Sequence, residues 1–178
     1  MNVNLEQRIK DSVRNVPDFP KKGIQFKDIT TLLMNPELCN AVLEEMVVQV
    51  KHSGVTKVVG VESRGFLFGQ ALAMRLGLPF VMVRKAGKLP YKKITNTYAL
   101  EYGEATIEMH KDAINPNDRV IVHDDLLATG GTAKAAAELV GSTGADVVGY
   151  LFLIHLSYLN GQDELGTMNE NIIKLATY

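Results

Sequence analysis

The sequence predicts an α/β fold in which a mainly parallel sheet is covered by helices on both faces. Two observations support this fold class: apolar stretches typical of buried strands alternate with helical stretches over most of the chain, and glycine or proline marks many of the connections. A chain of 178 residues is long enough for one domain with its own core. We therefore expect residues 1–178 to form a single domain.

In the first half of the chain, glycine and proline divide the predicted elements. An amphipathic pattern predicts a helix at residues 4–14, and two prolines and a glycine predict an irregular stretch over 17–23. Asn35 followed by Pro36 predicts a capped helix that runs to about His52. The other elements of this half are a buried strand at 57–61, a helix at 65–76 ended by Gly77, and a strand at 79–83.

The second half begins with a basic and polar stretch, residues 84–97, which predicts a long surface loop. Alternating residues on both sides of Gly103 predict a hairpin of strands 98–102 and 104–110. The remaining predictions are a strand at 119–123, a helix at 132–143, and strands at 146–154 and 172–175. Ligands of parallel sheets bind at the carboxyl ends of the strands, so the loops after Val61, Val83 and His123 are the candidate ligand loops.

The composition argues against several classes of protein. A net charge of −1 provides no overall attraction to nucleic acid or to an anionic membrane. The longest apolar run, Val147 to Ile154, is too short to span a bilayer, and the single cysteine, Cys39, cannot form an internal disulfide. We therefore expect a cytoplasmic protein that binds neither nucleic acid nor membranes.

A run of small residues lies between the strand at 119–123 and the next helix. Backbone N–H groups at a helix start are suited to surround an anion, and two threonines add hydroxyl donors. The run comprises Ala128, Thr129, Gly130, Gly131 and Thr132. The glycine-rich strings of nucleotide P-loops and of dinucleotide-binding folds are both missing, so the pattern predicts a phosphate cradle of another kind.

Two carboxylates, Asp124 and Asp125, come shortly before this cradle. Their charge repels a phosphate unless the ligand places hydroxyl groups or a metal ion between them. A ribose 5-phosphate does so, because its phosphate fits the cradle while its 2- and 3-hydroxyls donate to the carboxylates. The alternative is an acidic turn that caps the next helix.

The stretch from Asp124 to Thr132 resembles the ribose-phosphate signature of type I phosphoribosyltransferases. Four further segments resemble the adenine-specific members of that family in the same order and spacing: GIQFKDITTLL at 23–33, ESRGFLFG at 62–69, VRKAGKLP at 83–90 and YALEYGEATIEMH at 98–110. The resemblance implies the type I phosphoribosyltransferase fold, with a small hood and a flexible lid loop. It also implies transfer of ribosyl phosphate from phosphoribosyl pyrophosphate to adenine in purine salvage, with AMP and pyrophosphate as products, Mg²⁺ as cofactor, and a homodimer.

The resemblance assigns residues to the pyrophosphate group. Ser63 and Arg64 belong to the pyrophosphate loop, where the family has a non-proline cis peptide that we expect at Glu62–Ser63. A cationic patch of Arg84, Lys85 and Lys88 is suited to pyrophosphate with Mg²⁺. The alternatives are a helix cap with a solvated arginine and a solvated basic loop.

For the base, we expect the ring of Phe26 to stack on adenine. By resemblance, the backbone carbonyl of Gln25 accepts from the adenine N6 donor and repels 6-oxo purines, with the Arg64 backbone near the base. The alternative for Phe26 is an ordinary core position.

The resemblance places Glu101 near the reacting bond, as general base or as electrostatic stabiliser of a positive ribose. Glu101 and Tyr102 close over the substrates, and residues 88–98 are expected to form a lid that excludes water. We expect no direct protein ligand for Mg²⁺, which is held through substrate oxygens and water. His123 stands where an aliphatic residue is expected; we predict a half-buried, hydrogen-bonded side chain that could titrate beside Asp124.

Two rival functions remain at this point. A transcriptional regulator with this fold needs a DNA-binding module, and the segment before Gly23 is too short for a winged helix. A phosphoribosyltransferase for another base is the closer rival, and the segments around Phe26 and Glu101 argue against it.

Overall fold

The computed structural model describes residues 3–99 and 103–178, which form the predicted α/β fold. The helices in these ranges are α1 (Val3–Ser12), α2 (Thr30–Leu33), α3 (Pro36–Val50), α4 (Gly65–Leu76), α5 (Gly131–Gly141) and α6 (Gly161–Gly166). The strands are β1 (Arg14–Pro17), β2 (Gln25–Asp28), β3 (Lys57–Val61), β4 (Phe80–Lys85), β5 (Lys93–Ala99), β6 (Glu104–His110), β7 (Arg119–Leu127), β8 (Asp146–His155) and β9 (Ile172–Thr177).

The main sheet has the strand order β5-β6-β4-β3-β7-β8-β9. The pairs from β4 to β9 through β3, β7 and β8 are parallel, whereas β6 pairs antiparallel with both β4 and β5. Strand β4 lies on one side of β3, and β7, which comes later in the chain, lies on its other side. The carboxyl ends of β3 and β7 therefore adjoin at a point where the strand order reverses, which is where open α/β sheets bind ligands.

The sheet separates two apolar clusters. On one face Val58 and Ile121 belong to a cluster with residues of α1, α3 and α4, and on the other Val59 and Val122 belong to a cluster with the alanines of α5. Successive strand residues point to opposite faces, so a strand covered on both sides needs an unbroken apolar run. This explains why β3 was predictable from its valines. No helix within the described ranges is long and apolar enough to cross a membrane.

Several predicted boundaries were wrong. The irregular stretch predicted over 17–23 is confirmed from residue 18, but the strands on either side of it, β1 and β2, were missed; they form a separate two-stranded antiparallel sheet, the small hood. Residues 93–97 are not loop, because β5 begins at Lys93 and pairs with β6 along its whole length. Strand β7 continues beyond His123 to Leu127, so the aspartate pair lies inside a strand rather than after it. Helices α2 and α6 were missed because each is short.

Candidate active site

The predicted phosphate cradle forms a small pocket at the start of α5. The pocket is lined by Asp124, Leu126, Ala128, Thr129, Gly130, Gly131, Thr132 and Ala133. Gly130 precedes the helix with φ +83°, a left-handed conformation that favours glycine, and no side chain caps the helix. The free N–H groups of the first helical turn are therefore available to an anion. Because neither aspartate caps α5, the capping alternative is wrong.

The two aspartates point in different directions, as successive residues of a strand do. Asp124 lines the cradle pocket, whereas Asp125 is 2% exposed and its Oδ2 lies 3.1 Å from Nε of Arg64. This contact is ionic and lacks the geometry of a hydrogen bond. Burial raises the pKa of the Asp124 carboxyl well above its usual range, and the charge of Asp125 raises this pKa further. Of the two aspartates, only Asp124 lines the cradle pocket.

Arg64 connects the aspartates to the hood. Its guanidinium carbon lies 5.1 Å from the centroid of the Phe26 ring, and its Nη1 donates to the carbonyl of Lys27 at 3.4 Å. Phe26 is half-buried on β2, outside both apolar clusters, with Phe19 edge-on at 5.2 Å. The core alternative for Phe26 is therefore not supported. Gln25 is exposed, and its side-chain oxygen accepts from Asn15.

The peptide bond between Glu62 and Ser63 is cis, which confirms the expectation for this loop. Ser63 is exposed in the three-residue connection between β3 and α4. A Cβ on Gly65 would lie 2.9 Å from Oδ1 of Asp124 and 2.9 Å from the carbonyl oxygen of His123. Helix α4 can therefore start against His123 and Asp124 of β7 only because Gly65 has no side chain.

The cationic patch at the end of β4 is partly neutralised by Glu62. Arg84 contacts the two Glu62 oxygens at 2.9 and 3.3 Å, and the backbone N–H of Lys85 donates to Glu62 at 2.9 Å. The hydrogen bond from Arg84 holds the pKa of the Glu62 carboxyl below its usual range. Arg84 also donates to the carbonyl of Lys88 at 3.3 Å, and the side chains of Lys85 and Lys88 are exposed. The arginine thus supports the loop, while the lysines are the accessible cations.

Much of the predicted lid is an ordered strand that contacts the cradle. The hydroxyl of Tyr98, on β5, lies 3.0 Å from the hydroxyl of Thr132. The amide of Asn96 donates to the carbonyl of Ala135 at 3.0 Å, which fixes β5 on α5. The prediction of a loop over 88–98 was therefore wrong for its second half. Glu101 and Tyr102, predicted to act at the reacting bond and in the lid, lie outside the described residues.

His123 is fully buried rather than half-buried, and its predicted hydrogen bond is present: Nδ1 lies 2.8 Å from the carbonyl oxygen of Leu151. Burial lowers the pKa of His123 to about 4, so this side chain is neutral near pH 7. Within the described ranges, no group of three or more His, Cys, Asp or Glu side chains is arranged to hold a metal ion.

Two residues that support the site were missed. Glu108 on β6 is 1% exposed and accepts backbone N–H groups from the loop that follows Arg84. Gly161, at the start of α6, packs against the backbone of Ala128 in the cradle. Neither carried a sequence signal, because Glu108 occupies a position that alternation assigns to solvent and Gly161 is one of 15 glycines.

This fold, with an anion cradle and a carboxylate at the carboxyl end of β7, defines a phosphoribosyltransferase; residues 29–164 match the family described as "Phosphoribosyl transferase domain". An adenine phosphoribosyltransferase of Cytophaga hutchinsonii is 47% identical over 174 residues, 98% of this chain and 96% of that protein. The crystal structure of the Rhodothermus marinus enzyme of that name is 48% identical, with a TM-score of 0.93 and coverage of 99% of this chain and 100% of that one. The Saccharomyces cerevisiae enzyme, crystallised with adenine and an iminoaltritol bisphosphate, is 38% identical, with a TM-score of 0.90 and coverage of 97% and 98%.

The chain belongs to the adenine phosphoribosyltransferase family, which confirms the resemblance found in its sequence. Its reaction is the transfer of 5-phosphoribosyl from phosphoribosyl pyrophosphate to adenine, giving AMP and pyrophosphate.

Proposed function

We propose that phosphoribosyl pyrophosphate binds with its 5-phosphate in the cradle of residues 128–132 and its ribose hydroxyls on Asp124 and Asp125. The observation that carries this proposal is the shared pocket: Asp124 and the free N–H groups of α5 line the same small cavity. A ribose 5-phosphate supplies the anion for one end and the hydroxyl donors for the other.

Binding on this scheme requires Arg64 to change partners. Arg64 forms an ion pair with Asp125. When a ribose hydroxyl donates to Asp125, the guanidinium is free to turn toward the pyrophosphate group. The exposed side chains of Ser63, Lys85 and Lys88 contact the same group. Release of Arg64 from Asp125 and its binding to pyrophosphate are coupled, because the ribose hydroxyl and the pyrophosphate belong to the same substrate.

Adenine selection is proposed to depend on Phe26 and on the carbonyl of Gln25. Gln25 and Lys27 lie two residues apart on β2. Strand carbonyls two residues apart point to the same edge, and the carbonyl of Lys27 accepts from Arg64. The carbonyl of Gln25 thus faces the Arg64 side without a ladder partner, where it accepts from the N6 amino group and repels a 6-oxo purine.

The chemical step is proposed to build positive charge on the ribose as pyrophosphate leaves. The carboxylates of Asp124 and Asp125 stabilise that charge, and Glu101 acts as a general base on adenine or as a further stabilising charge. Tyr102 is proposed to help exclude water, which would otherwise hydrolyse the activated ribose.

Mg²⁺ is proposed to enter with the substrate. The donor set fits this ion, because oxygen atoms of the pyrophosphate and ribose, with carboxylates nearby, are the ligands that Mg²⁺ prefers. The ion would neutralise the leaving pyrophosphate, and Lys85 and Lys88 would hold the remaining charge. Calorimetry should detect no tight Mg²⁺ binding to the ligand-free chain; tight binding would contradict this scheme.

A homodimer and a cytoplasmic location are also proposed. An apolar groove between α3 and α4 is lined by Leu33, Cys39, Asn40, Leu43, Leu67, Phe68 and Ala71, and Met34 and Met74 beside it are each 72% exposed. A second copy would cover such a surface. The single free thiol suits a reducing compartment, and we propose that residues 1–178 are one domain.

The deciding experiment compares products from three bases. Purified protein with phosphoribosyl pyrophosphate and Mg²⁺ should form AMP from adenine, and far less IMP from hypoxanthine or GMP from guanine. Equal rates with a 6-oxo purine would contradict the assignment of the Gln25 carbonyl.

A further inference from the structure

Glu108 is a buried carboxylate to which the reaction scheme above gives no task. It accepts the backbone N–H groups of Gly87, Lys88 and Leu89 at 3.1, 2.8 and 2.6 Å. The ammonium group of Lys93 lies 2.7 Å from its Oε2. Four donors thus converge on one side chain that is 1% exposed.

Three consecutive N–H groups that converge on an anion form the geometry with which loops often bind phosphate. Gly87, with φ +83°, allows the chain to curl in this way. Here the anion is the protein's own carboxylate, so these N–H groups are not available to a ligand. The loop must therefore bind its ligand through side chains.

The loop's cationic side chains are those assigned to pyrophosphate. Lys88 lies within the curl with its side chain exposed, and its carbonyl accepts from Arg84. Arg84 is also the partner of Glu108 across the β4–β6 ladder. The direction of the Lys88 side chain thus depends on the backbone that Glu108 holds, and Arg84 supports that backbone from β4.

Electrostatics keeps this arrangement charged. Burial alone raises the pKa of Glu108, but the hydrogen bonds from Lys93 and from the three backbone groups outweigh burial and lower the pKa to about 2. Lys93 is the first residue of β5, so Glu108 also ties the base of the hairpin to the loop.

We propose that Glu108 is a positioning residue for the pyrophosphate end of the reaction. It holds the backbone of residues 87–89 in one conformation, so that Lys88 presents its charge to the pyrophosphate group of the substrate and to free pyrophosphate. This inference rests on the proposed pyrophosphate site.

Glu108→Gln tests the proposal. Glutamine has nearly the same size, but it offers one acceptor oxygen in place of two and turns an NH₂ group toward N–H donors. Removing hydrogen bonds to a charged group should raise KM for phosphoribosyl pyrophosphate, and KM for pyrophosphate in the reverse reaction, by about tenfold to a hundredfold. KM for adenine should stay within about twofold, because the hood is untouched. Glu108→Asp keeps the charge and should recover part of the loss.

Asp118→Asn is the matched control. Asp118 is also a shielded carboxylate, with a backbone N–H from Asn115 at 2.7 Å and the ammonium of Lys57 at 2.9 Å. It directly precedes β7 and therefore lies at the amino end of that strand, whereas the site lies at the carboxyl end. This variant should lower the melting temperature without changing either KM.

The outcomes separate the possibilities. Equal rises in KM for adenine and for phosphoribosyl pyrophosphate, with a melting loss like that of Asp118→Asn, would show a general structural role and overturn the proposal. Calorimetric binding of magnesium pyrophosphate repeats the comparison without turnover. A wild type that binds pyrophosphate but forms no AMP would contradict the proposed function alone. If Glu108→Gln does not fold, Lys93→Met provides a second test, because it removes one of the four donors to Glu108. It should raise the KM for pyrophosphate by less than the roughly tenfold to hundredfold expected for Glu108→Gln, and an unchanged KM would overturn the proposal.

Discussion

Replacing Gly161 with alanine tests whether the phosphate cradle depends on the backbone packed beneath it. A Cβ at Gly161 would overlap the carbonyl oxygen of Ala128 and would lie 3.0 Å from its carbonyl carbon and 2.9 Å from Cδ1 of Leu127. The contact is reciprocal, because a Cβ on Gly130 would lie 2.9 Å from the carbonyl oxygen of Gly161. Helix α6 and the cradle therefore meet backbone to backbone.

The size of the effect follows from this overlap. Carbon contacts are comfortable at about 3.5–4.0 Å, so the cradle must withdraw by roughly 1 Å. Overpacking of this kind costs about 1–3 kcal/mol, which lowers the melting temperature of a domain of this size by roughly 2–12 °C. A displacement of about 1 Å at a binding group can cost about a hundredfold in rate. We expect that loss in kcat/KM for phosphoribosyl pyrophosphate, with little change in KM for adenine.

Gly166→Ala is the control, because it makes the same substitution in the same helix where a Cβ meets nothing within 4 Å. Both variants should be assayed by AMP formation at varied concentrations of each substrate, with melting curves on the same preparations. If Gly161→Ala matched Gly166→Ala in kinetics and in melting temperature, the cradle would not depend on this packing.

Three further predictions concern the aspartates, the hood and the buried histidine. Asp124→Asn combined with Asp125→Asn should abolish ribosyl transfer while circular dichroism and melting stay near wild type, because neutral amides relieve a buried repulsion; activity near wild type would refute the ribose assignment. Phe26→Ala should weaken adenine binding roughly tenfold to a hundredfold, since stacking contributes about 1–3 kcal/mol, and should largely preserve the preference over hypoxanthine. An unchanged adenine KM with a large melting loss would argue for a core role instead. Burial lowers the pKa of His123 to about 4 in the folded chain, against 6.5 for an unperturbed histidine. The unfolded chain therefore binds the proton first, and the stability that neutral His123 provides above pH 6.5 is lost as the pH falls toward 4. Between pH 7 and pH 5 the free energy of unfolding, measured with urea, should therefore fall by about 2 kcal/mol less in His123→Val than in the wild type. An unchanged pH dependence would show that this histidine does not titrate as proposed.

The elements predicted correctly are those whose signals are local. Strand β3 and helix α4 have the predicted bounds, because a valine run buried on both faces and a glycine stop at Gly77 need no distant partner to be recognised. The cap of α3 is of the same kind: Asn35 accepts from the N–H of Leu38, three residues away. The pocket at the start of α5 was also predictable, because its small residues are contiguous.

Elements that depend on a distant partner were predicted less well. Strand β7 continues through two aspartates because Asp124 pairs with Phe152, and Leu126 with Ile154, of β8. Strand β5 begins at a lysine because Lys93 pairs with His110 across the hairpin and binds Glu108. Cross-strand pairing and a buried counter-charge outweighed the local preference of these residues for loop or solvent.

Periodicity and contiguous motifs in the sequence were sufficient to predict the class of fold, the family and the pocket of small residues at the start of α5, because such patterns record what neighbouring residues do. Three contacts were not predictable in this way: Asp125 faces Arg64, Glu108 accepts the backbone N–H groups of the basic loop, and Gly161 packs against the backbone of Ala128. Each of these contacts joins residues 19 or more positions apart. Such contacts form only when the sheet brings distant segments together, and no local pattern encodes them.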